Sequence, residues 1–175
     1  MNKSIIPFQG DITSKESLAA LASRVKSEVG FVNVVIANSG ITGPDLSAMP
    51  KDRIPTIAEL QNLLWKPSME EFNSTFMANS TAMFYTLTAF LTLLDAGNTH
   101  SDSPTLKNGV KSQFIATSSI GAFARKPGMG YAYAGSKAAV IHLVKQLSTG
   151  LVPYHIRINC FAPGIYPSDM SAVSL

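Results

Sequence analysis

Tyr133 and Lys137 lie one helical turn apart and could together move a proton. They stand in the segment Tyr-Ala-Gly-Ser-Lys, which opens an apolar stretch with helical spacing. Side chains four residues apart share one face of a helix, and an ammonium beside a phenol favours the phenolate form. The pair would suit the tyrosine to give or take a proton at a carbonyl or alcohol oxygen. An isolated tyrosine–lysine pair with this spacing is more often exposed, with a solvated lysine. The neighbouring segments therefore decide between a chemical and a purely structural interpretation of this pair.

A pair of serines supports the chemical interpretation. Ser118 and Ser119 end the apolar run 114–116, and Ser119 precedes Tyr133 by fourteen residues. A serine hydroxyl at the end of a strand can hydrogen-bond the same substrate oxygen and stabilise charge that develops there. A hydroxyl, a phenol and an ammonium on adjoining strand ends and a helix would form a site for proton transfer.

Alternating apolar strands and amphipathic helices are predicted to position these groups. The run 32–37 is apolar throughout, which is typical of a parallel strand covered on both faces. Pro7 places the short predicted strand 4–9 near a sheet edge. Helices are predicted from residue 13 or 14 to about 30, around 57–64, from Ser68 to about 94, and over 131–147; further strands are predicted over 112–118 and 156–161, and loops over 41–66, 95–111 and 121–130.

This alternation predicts an open parallel α/β sheet in a single domain, residues 1–175. Ligands of such sheets bind outside the carboxyl ends of the strands. Four polar or glycine-containing segments follow predicted strands and so should meet at one edge: Asp11, Asn38-Ser39-Gly40, Ser118-Ser119 and Pro163-Gly164.

The order of these segments resembles that of the short-chain dehydrogenase/reductase family. The resemblance runs from about Ile5 to Met170. It implies that Tyr133 is the catalytic acid or base, that Lys137 is its partner, and that Asn79 completes a proton relay. It also implies a serine that orients the substrate. Ser118 and Ser119 compete for this role, and Ser119 is favoured with one extra residue in the loop before the tyrosine.

The resemblance also implies a nicotinamide cofactor, NADP by prevalence among similar reductases, with NAD as the alternative. Tyr133 and Lys137 would contact the nicotinamide ribose. The other implied cofactor contacts are Asp11 and Ile12 at the adenine, Asn38, Ser39 and Gly40 beside the adenosine ribose, and Gly164, Ile165 and Ser168 at the carboxamide.

The family's first strand and its glycine-rich turn, Thr-Gly-x-x-x-Gly-x-Gly, have no counterpart in this sequence. Such a turn holds the cofactor pyrophosphate at a helix N-terminus. The fold expected from the resemblance is therefore a partial Rossmann-like, doubly wound parallel sheet flanked by helices, without its first two strands and its last. The strand 32–37 would then lack a neighbour, which exposes unpaired backbone groups.

Composition excludes several other classes of protein. The net charge is +3 and the 14% of charged residues are scattered, so a nucleic-acid-binding surface is not expected. Residues 82–94 are too short and too rich in threonine for a membrane span, and the spacing of His100, His142 and His155 suggests no metal site. A cytoplasmic protein acting on a small carbonyl or alcohol substrate is expected, with oligomers through the helices from Ser68 and Tyr131 as the family implies.

Two hypotheses of different kinds remain from the sequence. One is an NAD(P)-dependent oxidoreductase, resembling reductases of specialised-metabolite pathways, in a shortened chain. The other is an inactive remnant or pseudoenzyme that acts, if at all, by association with a partner subunit. The intact set of Ser119, Tyr133, Lys137 and Asn79 favours the first, and the absent glycine-rich turn motivates the second.

Overall fold

Three parallel strands and a set of helices make up the described part of the chain. The computed structural model describes residues 5–125, 130–165 and 167. The strands are β1 (Val34–Ala37), β2 (Gln113–Thr117) and β3 (Arg157–Phe161), and the helices are α1 (Lys15–Glu28), α2 (Ile57–Trp65), α3 (Met69–Phe76), α4 (Ala82–Thr99), α5 (Pro104–Asn108) and α6 (Tyr131–Gly150), with a π-helical turn at Met77–Thr81 and short 3₁₀ helices at Ile120–Ala122 and Val152–Tyr154.

The strands pair in the order β1-β2-β3, and helices connect them, as expected for a parallel α/β sheet. Val35 pairs with Phe114, which pairs with Ile158. These residues pack with α4 and α6 in a core that includes Leu87 and Val140. Because all three strands run in one direction, Asn38, Ser118 and Ala162 begin segments at the same edge of the sheet. The register thus brings three of the four predicted strand-end segments to one edge, whereas Asp11 follows no strand.

The second face of the sheet is open in the described chain. Val34 and Ile36 of β1 are 52% and 59% exposed, and Phe161 of β3 is exposed as well. The expectation that β1 would be covered on both faces is therefore wrong for the described residues. The core helices pack on the face that carries Phe114 and Ala116, which leaves the alternate side chains of each strand in solvent.

The predicted strand at 4–9 is also wrong over residues 5–9, which form no strand. A strand needs a neighbour for its backbone hydrogen bonds. Residues 5–9, which precede α1 in the chain, lie beside that helix instead. The guanidinium of Arg24 lies 5.4 Å from the centroid of the Phe8 ring. The backbone N–H of Asp11 donates to Ser17 Oγ at 2.8 Å.

The predicted helix from Ser68 is longer than expected and contains an irregular turn. Ser68 and Glu71 form a capping box at its start, which satisfies backbone N–H groups that the first helical turn leaves free. Helical structure then continues through the π-helical turn to Thr99, so part of the predicted loop 95–111 is helical. Among the described residues, the helical segment Met69–Thr99 is long and apolar enough to cross a membrane. Half of its apolar 18-residue stretch is nevertheless buried within the protein.

Gly97 is required where α4 passes the start of β1. A methyl group at this position would lie 2.1 Å from the carbonyl oxygen of Val32 and 2.6 Å from Ser112 Oγ. We therefore expect Gly97→Ala to lower the free energy of unfolding by about 3 kcal/mol, at the upper end of the usual overpacking cost. Gly150→Ala is the control, because no atom lies within 4 Å of the added methyl. Urea unfolding of both variants tests this, and equal stabilities would contradict it.

Candidate active site at the carboxyl ends of the strands

Tyr133 and Lys137 lie on the same side of α6, as their spacing predicts. The Lys137 Nζ is 5.7 Å from the centroid of the Tyr133 ring, and the two residues are only 6% and 3% exposed. Gly130 precedes the helix with φ of 90°, a conformation that favours glycine. A methyl there would come within 2.2 Å of the Pro44 carbonyl. Contact with the loop after β1 therefore fixes where α6 begins, two residues before Tyr133.

The lysine is held at the end of β2. Its Nζ donates to the carbonyl oxygen of Thr117 at 2.8 Å. None of the ion pairs among the described residues includes Lys137. Burial therefore lowers the pKa of Lys137 below its usual value, because the charged form loses water without gaining a carboxylate.

The burial of Lys137 predicts a pH-dependent cost in stability. A folded-state pKa below the unfolded value means that the unfolded chain binds more protons, so the free energy of unfolding rises with pH in this interval. The cost is fully present below the folded pKa and disappears as pH rises towards the ordinary value of 10.5. We expect wild type to gain stability relative to Lys137→Met between pH 7 and pH 10.

Urea unfolding at several pH values measures this gain. Lys145→Met is the matched control, because Lys145 lies on the same helix with an exposed side chain. A pH-independent difference between wild type and Lys137→Met would contradict the effect of burial.

The two serines at the end of β2 have different surroundings. The Ser118 hydroxyl is buried and donates to the carbonyl of Lys137 at 2.8 Å. The Ser119 Oγ accepts the N–H of Gly121 at 3.0 Å. A methyl group on Gly121 would lie 3.4 Å from Ser119 Oγ and 3.6 Å from Cε1 of Tyr133, so both side chains border the same point. Ser118 therefore ties α6 to β2, whereas Ser119 and the Tyr133 ring both border Gly121.

Asn79 lies within the π-helical turn, and its amide holds the loop after β1. Its Oδ1 accepts the N–H of Ile41 at 2.8 Å, and its Nδ2 donates to the Ile41 carbonyl at 2.9 Å. The same Nδ2 donates to Ser136 Oγ at 2.9 Å. The wider turn of a π-helix often marks functional sites. The predicted relay residue is thus bonded both to the loop after β1 and to the helix that carries Tyr133.

Gly40, in the segment after β1, lies against Asn79 and close to Lys137. A methyl group on Gly40 would lie 2.7 Å from Asn79 Oδ1 and 3.4 Å from Lys137 Nζ. Ile12, Asn38 and Ser39 border a cavity of about 200 Å³ beside this glycine. Small residues, an apolar cavity and polar groups at the carboxyl ends of parallel strands fit a nucleotide cofactor.

Three other predicted cofactor residues, Asp11, Gly164 and Ile165, lie in the segments before α1 and after β3. The Asp11 carboxylate accepts from the N–H and hydroxyl of Thr13, and these bonds lower the pKa of Asp11. Gly164 follows β3, where the Pro163 carbonyl accepts the N–H of Ile120, next to Ser119. Ile165 is exposed, and Ser168 lies outside the described residues.

Sequence reasoning missed two residues of this site. Thr117 contributes its carbonyl to Lys137, and its Oγ1 donates to Asn38 Oδ1 at 2.9 Å. Ser136 is fully buried between Asn79 and Tyr133. The position of Ser136 three residues after Tyr133 was the available signal, since such residues share a helical face. The backbone contact of Thr117 had no signal in the sequence.

The chain combines a parallel α/β sheet with a tyrosine, a lysine and a serine at the carboxyl edge of that sheet. Comparison with known proteins identifies its family. The sequence model of the family described as short chain dehydrogenase matches residues 1–174. The chain therefore belongs to the short-chain dehydrogenase/reductase family.

Individual relatives show the extent of the similarity. The short-chain dehydrogenase/reductase PhomF′ of Diaporthe leptostromiformis is 45% identical over 168 residues, covering 96% of this chain and 55% of that protein. SAT3 of Stachybotrys chartarum is 41% identical over 178 residues, covering 97% and 65%. A 7α-hydroxysteroid dehydrogenase solved with NADH and 7-oxo glycochenodeoxycholic acid has a TM-score of 0.64 at 27% identity, covering 90% of this chain and 49% of that one. The chain thus spans about half to two thirds of the length of these relatives.

Proposed function

We propose that the protein is an NAD(P)-dependent oxidoreductase that interconverts a carbonyl and an alcohol. One observation carries the proposal: the buried Lys137 ammonium lies 5.7 Å from the centroid of the Tyr133 ring, at the strand edge where Ser119 and the ring both border Gly121. The family acts on small-molecule carbonyl or alcohol substrates. The likeness of residues 162–168 to reductases of specialised-metabolite pathways supports a substrate of that kind.

Each residue has a distinct part in the proposed reaction. In the reductive direction the Tyr133 hydroxyl gives its proton to the carbonyl oxygen, and in the oxidative direction it takes the proton back. The Lys137 ammonium stabilises the phenolate left behind. The Ser119 hydroxyl donates to the substrate oxygen and orients it. Asn79 holds the loop after β1 near Lys137 and completes the path by which the proton moves towards solvent.

The strand-end residues would hold the dinucleotide, which supplies the hydride when bound. Lys137 and Tyr133 would contact the nicotinamide ribose. Asn38, Ser39 and Gly40 would border the adenosine ribose. The remaining proposed contacts are Asp11 and Ile12 at the adenine and Gly164, Ile165 and Ser168 at the carboxamide. We propose NADP, with NAD as the alternative, and a cytoplasmic location.

Steady-state turnover tests the function. The purified chain is incubated with NADPH or NADH and a panel of aliphatic, cyclic and aromatic ketones, and oxidation of the reduced cofactor is followed by absorbance. We expect turnover with at least one ketone and a preference for NADPH. A cooperative unfolding transition shows that the soluble chain is folded. If such protein shows no turnover, the proposed oxidoreductase activity is wrong for this chain.

The open face of β1 supports a second candidate, a catalytically inactive chain that associates with a partner subunit. Val34 and Ile36 are more than half exposed, and an apolar edge strand of this kind favours pairing with another chain. Contacts through α3, α4 and α6 would be compatible with such an assembly. Tight binding of NADP(H) by the isolated chain would count against this candidate, and a stable complex without cofactor binding would favour it.

A further inference from the structure

Ser136 lies at the centre of a buried hydrogen-bond chain that the proposed reaction does not use. Its side chain is 0% exposed. Its hydroxyl accepts from Asn79 Nδ2 at 2.9 Å and donates to the carbonyl of Tyr133 at 2.8 Å. The hydroxyl thus makes one bond to the π-helical turn and one to the first turn of α6.

These bonds determine the orientation of the Asn79 amide. With its Oδ1 on the Ile41 N–H and its Nδ2 on both the Ile41 carbonyl and Ser136 Oγ, the amide uses both of its donor hydrogens and one acceptor site. A flipped amide would place its oxygen towards the Ile41 carbonyl and its nitrogen towards the Ile41 N–H. Both of those contacts are repulsive, so one orientation is strongly preferred.

We infer that Ser136 is a positioning residue that fixes Asn79 relative to Tyr133 and Lys137. The inference deepens the proposed function and rests on it for its catalytic meaning. The Asn79 amide oxygen lies against Gly40, next to the Lys137 ammonium. Ser136 is therefore the direct side-chain link between the asparagine and the helix of the catalytic pair.

Ser118 provides a matched comparison. Both serines are buried, and both donate to a carbonyl of α6 at 2.8 Å, Ser118 to Lys137 and Ser136 to Tyr133. Only Ser136 contacts Asn79. Loss of either hydroxyl should cost similar stability, whereas only loss of the Ser136 hydroxyl should alter the asparagine.

The test compares Ser136→Ala with Ser118→Ala by NMR of the asparagine side-chain amides and by urea unfolding. In Ser136→Ala we expect an upfield shift of one Asn79 Nδ2 proton and at least tenfold faster exchange of the Ile41 amide with solvent. In Ser118→Ala we expect neither change. Ser136→Thr keeps a hydroxyl and should restore the wild-type signal.

Asn79 signals that are unchanged in Ser136→Ala, or changed equally in Ser118→Ala, would overturn the inference. A double-mutant cycle gives a second measurement should the threonine variant fail to fold. The stability effects of Ser136→Ala and Asn79→Ala should be non-additive, whereas those of Ser118→Ala and Asn79→Ala should add. None of these readouts needs turnover, so a failure of the proposed function leaves them interpretable. If wild type turns over, a kcat in Ser136→Ala equal to that of Ser118→Ala would remove the catalytic meaning of the positioning.

Discussion

Tyr133→Phe is expected to lower kcat/KM for ketone reduction by about a thousandfold, within the usual range for loss of a general acid. The change removes the hydroxyl proposed to give its proton to the carbonyl oxygen and keeps the buried ring that lies beside Lys137. Cofactor affinity and the unfolding midpoint should stay close to wild type. Initial rates, cofactor fluorescence and urea unfolding measure these three quantities.

Tyr131→Phe is the matched control for this substitution. It makes the same chemical change two residues earlier, on a side chain that is exposed and borders a separate groove of about 440 Å³ with Trp65 and Phe72. We expect its kcat/KM within about threefold of wild type, because surface substitutions usually have small effects. Equal losses in the two variants, or full activity in Tyr133→Phe, would show that the Tyr133 hydroxyl is not the proton donor.

Asn79→Ala is expected to lower the free energy of unfolding by about 2–4 kcal/mol, because it leaves the N–H and carbonyl of Ile41 and the Ser136 hydroxyl without their partner. Activity should fall further than the folded fraction does. The loss of activity should appear mainly in kcat, because in the proposed reaction Asn79 belongs to the proton path and does not bind the substrate. Urea unfolding and initial rates at a temperature where the variant is folded separate the two effects.

Asn98 offers a control of the same kind at the far end of the same helical segment. Its Nδ2 donates to the carbonyls of Tyr154 and His155, and its Oδ1 accepts the N–H of Ser112 at 2.7 Å. Asn98→Ala should cost a similar amount of stability and leave kcat of the folded protein unchanged. An equal loss of kcat in both variants would indicate that Asn79 acts through general stability alone.

The strands and helices that pack on one another could be predicted from the sequence. The apolar runs around Val35, Phe114 and Ile158 and the helical spacing in α4 and α6 identify elements that bury a common core. Residues 5–9 could not be predicted in the same way. Their β-like composition forms a strand only beside a neighbour, and none of the described strands pairs with them. The exposure of Val34 and Ile36 has the same origin, because composition cannot show which face a helix will cover.

The candidate site, like the fold, has features that the sequence could predict and features that it could not. The spacing of Tyr133 and Lys137 and the order of the strand-end segments were sufficient to predict their meeting place. Bonds to backbone carbonyls were not predictable, such as the one from Lys137 to Thr117, since every residue offers the same carbonyl. The π-helical turn at Asn79 also had no local signal, because it depends on how the long helix fits between the loop at Ile41 and α6. The roles of Ser118 and Ser119 were left open by the sequence, and their different hydrogen bonds support Ser119 as the residue that faces the substrate.

Transfer of deuterium from NADPH labelled at C4 of the nicotinamide shows whether this chain delivers a hydride to a ketone. The purified chain is incubated with the labelled cofactor and the ketone panel, with Tyr133→Phe in parallel, and alcohol products are analysed by mass spectrometry. The account predicts an alcohol carrying deuterium on its carbinol carbon with wild type and almost none with Tyr133→Phe. Folded wild-type protein that binds the cofactor and yields no deuterated alcohol from any ketone, or an equal yield from both proteins, would contradict it.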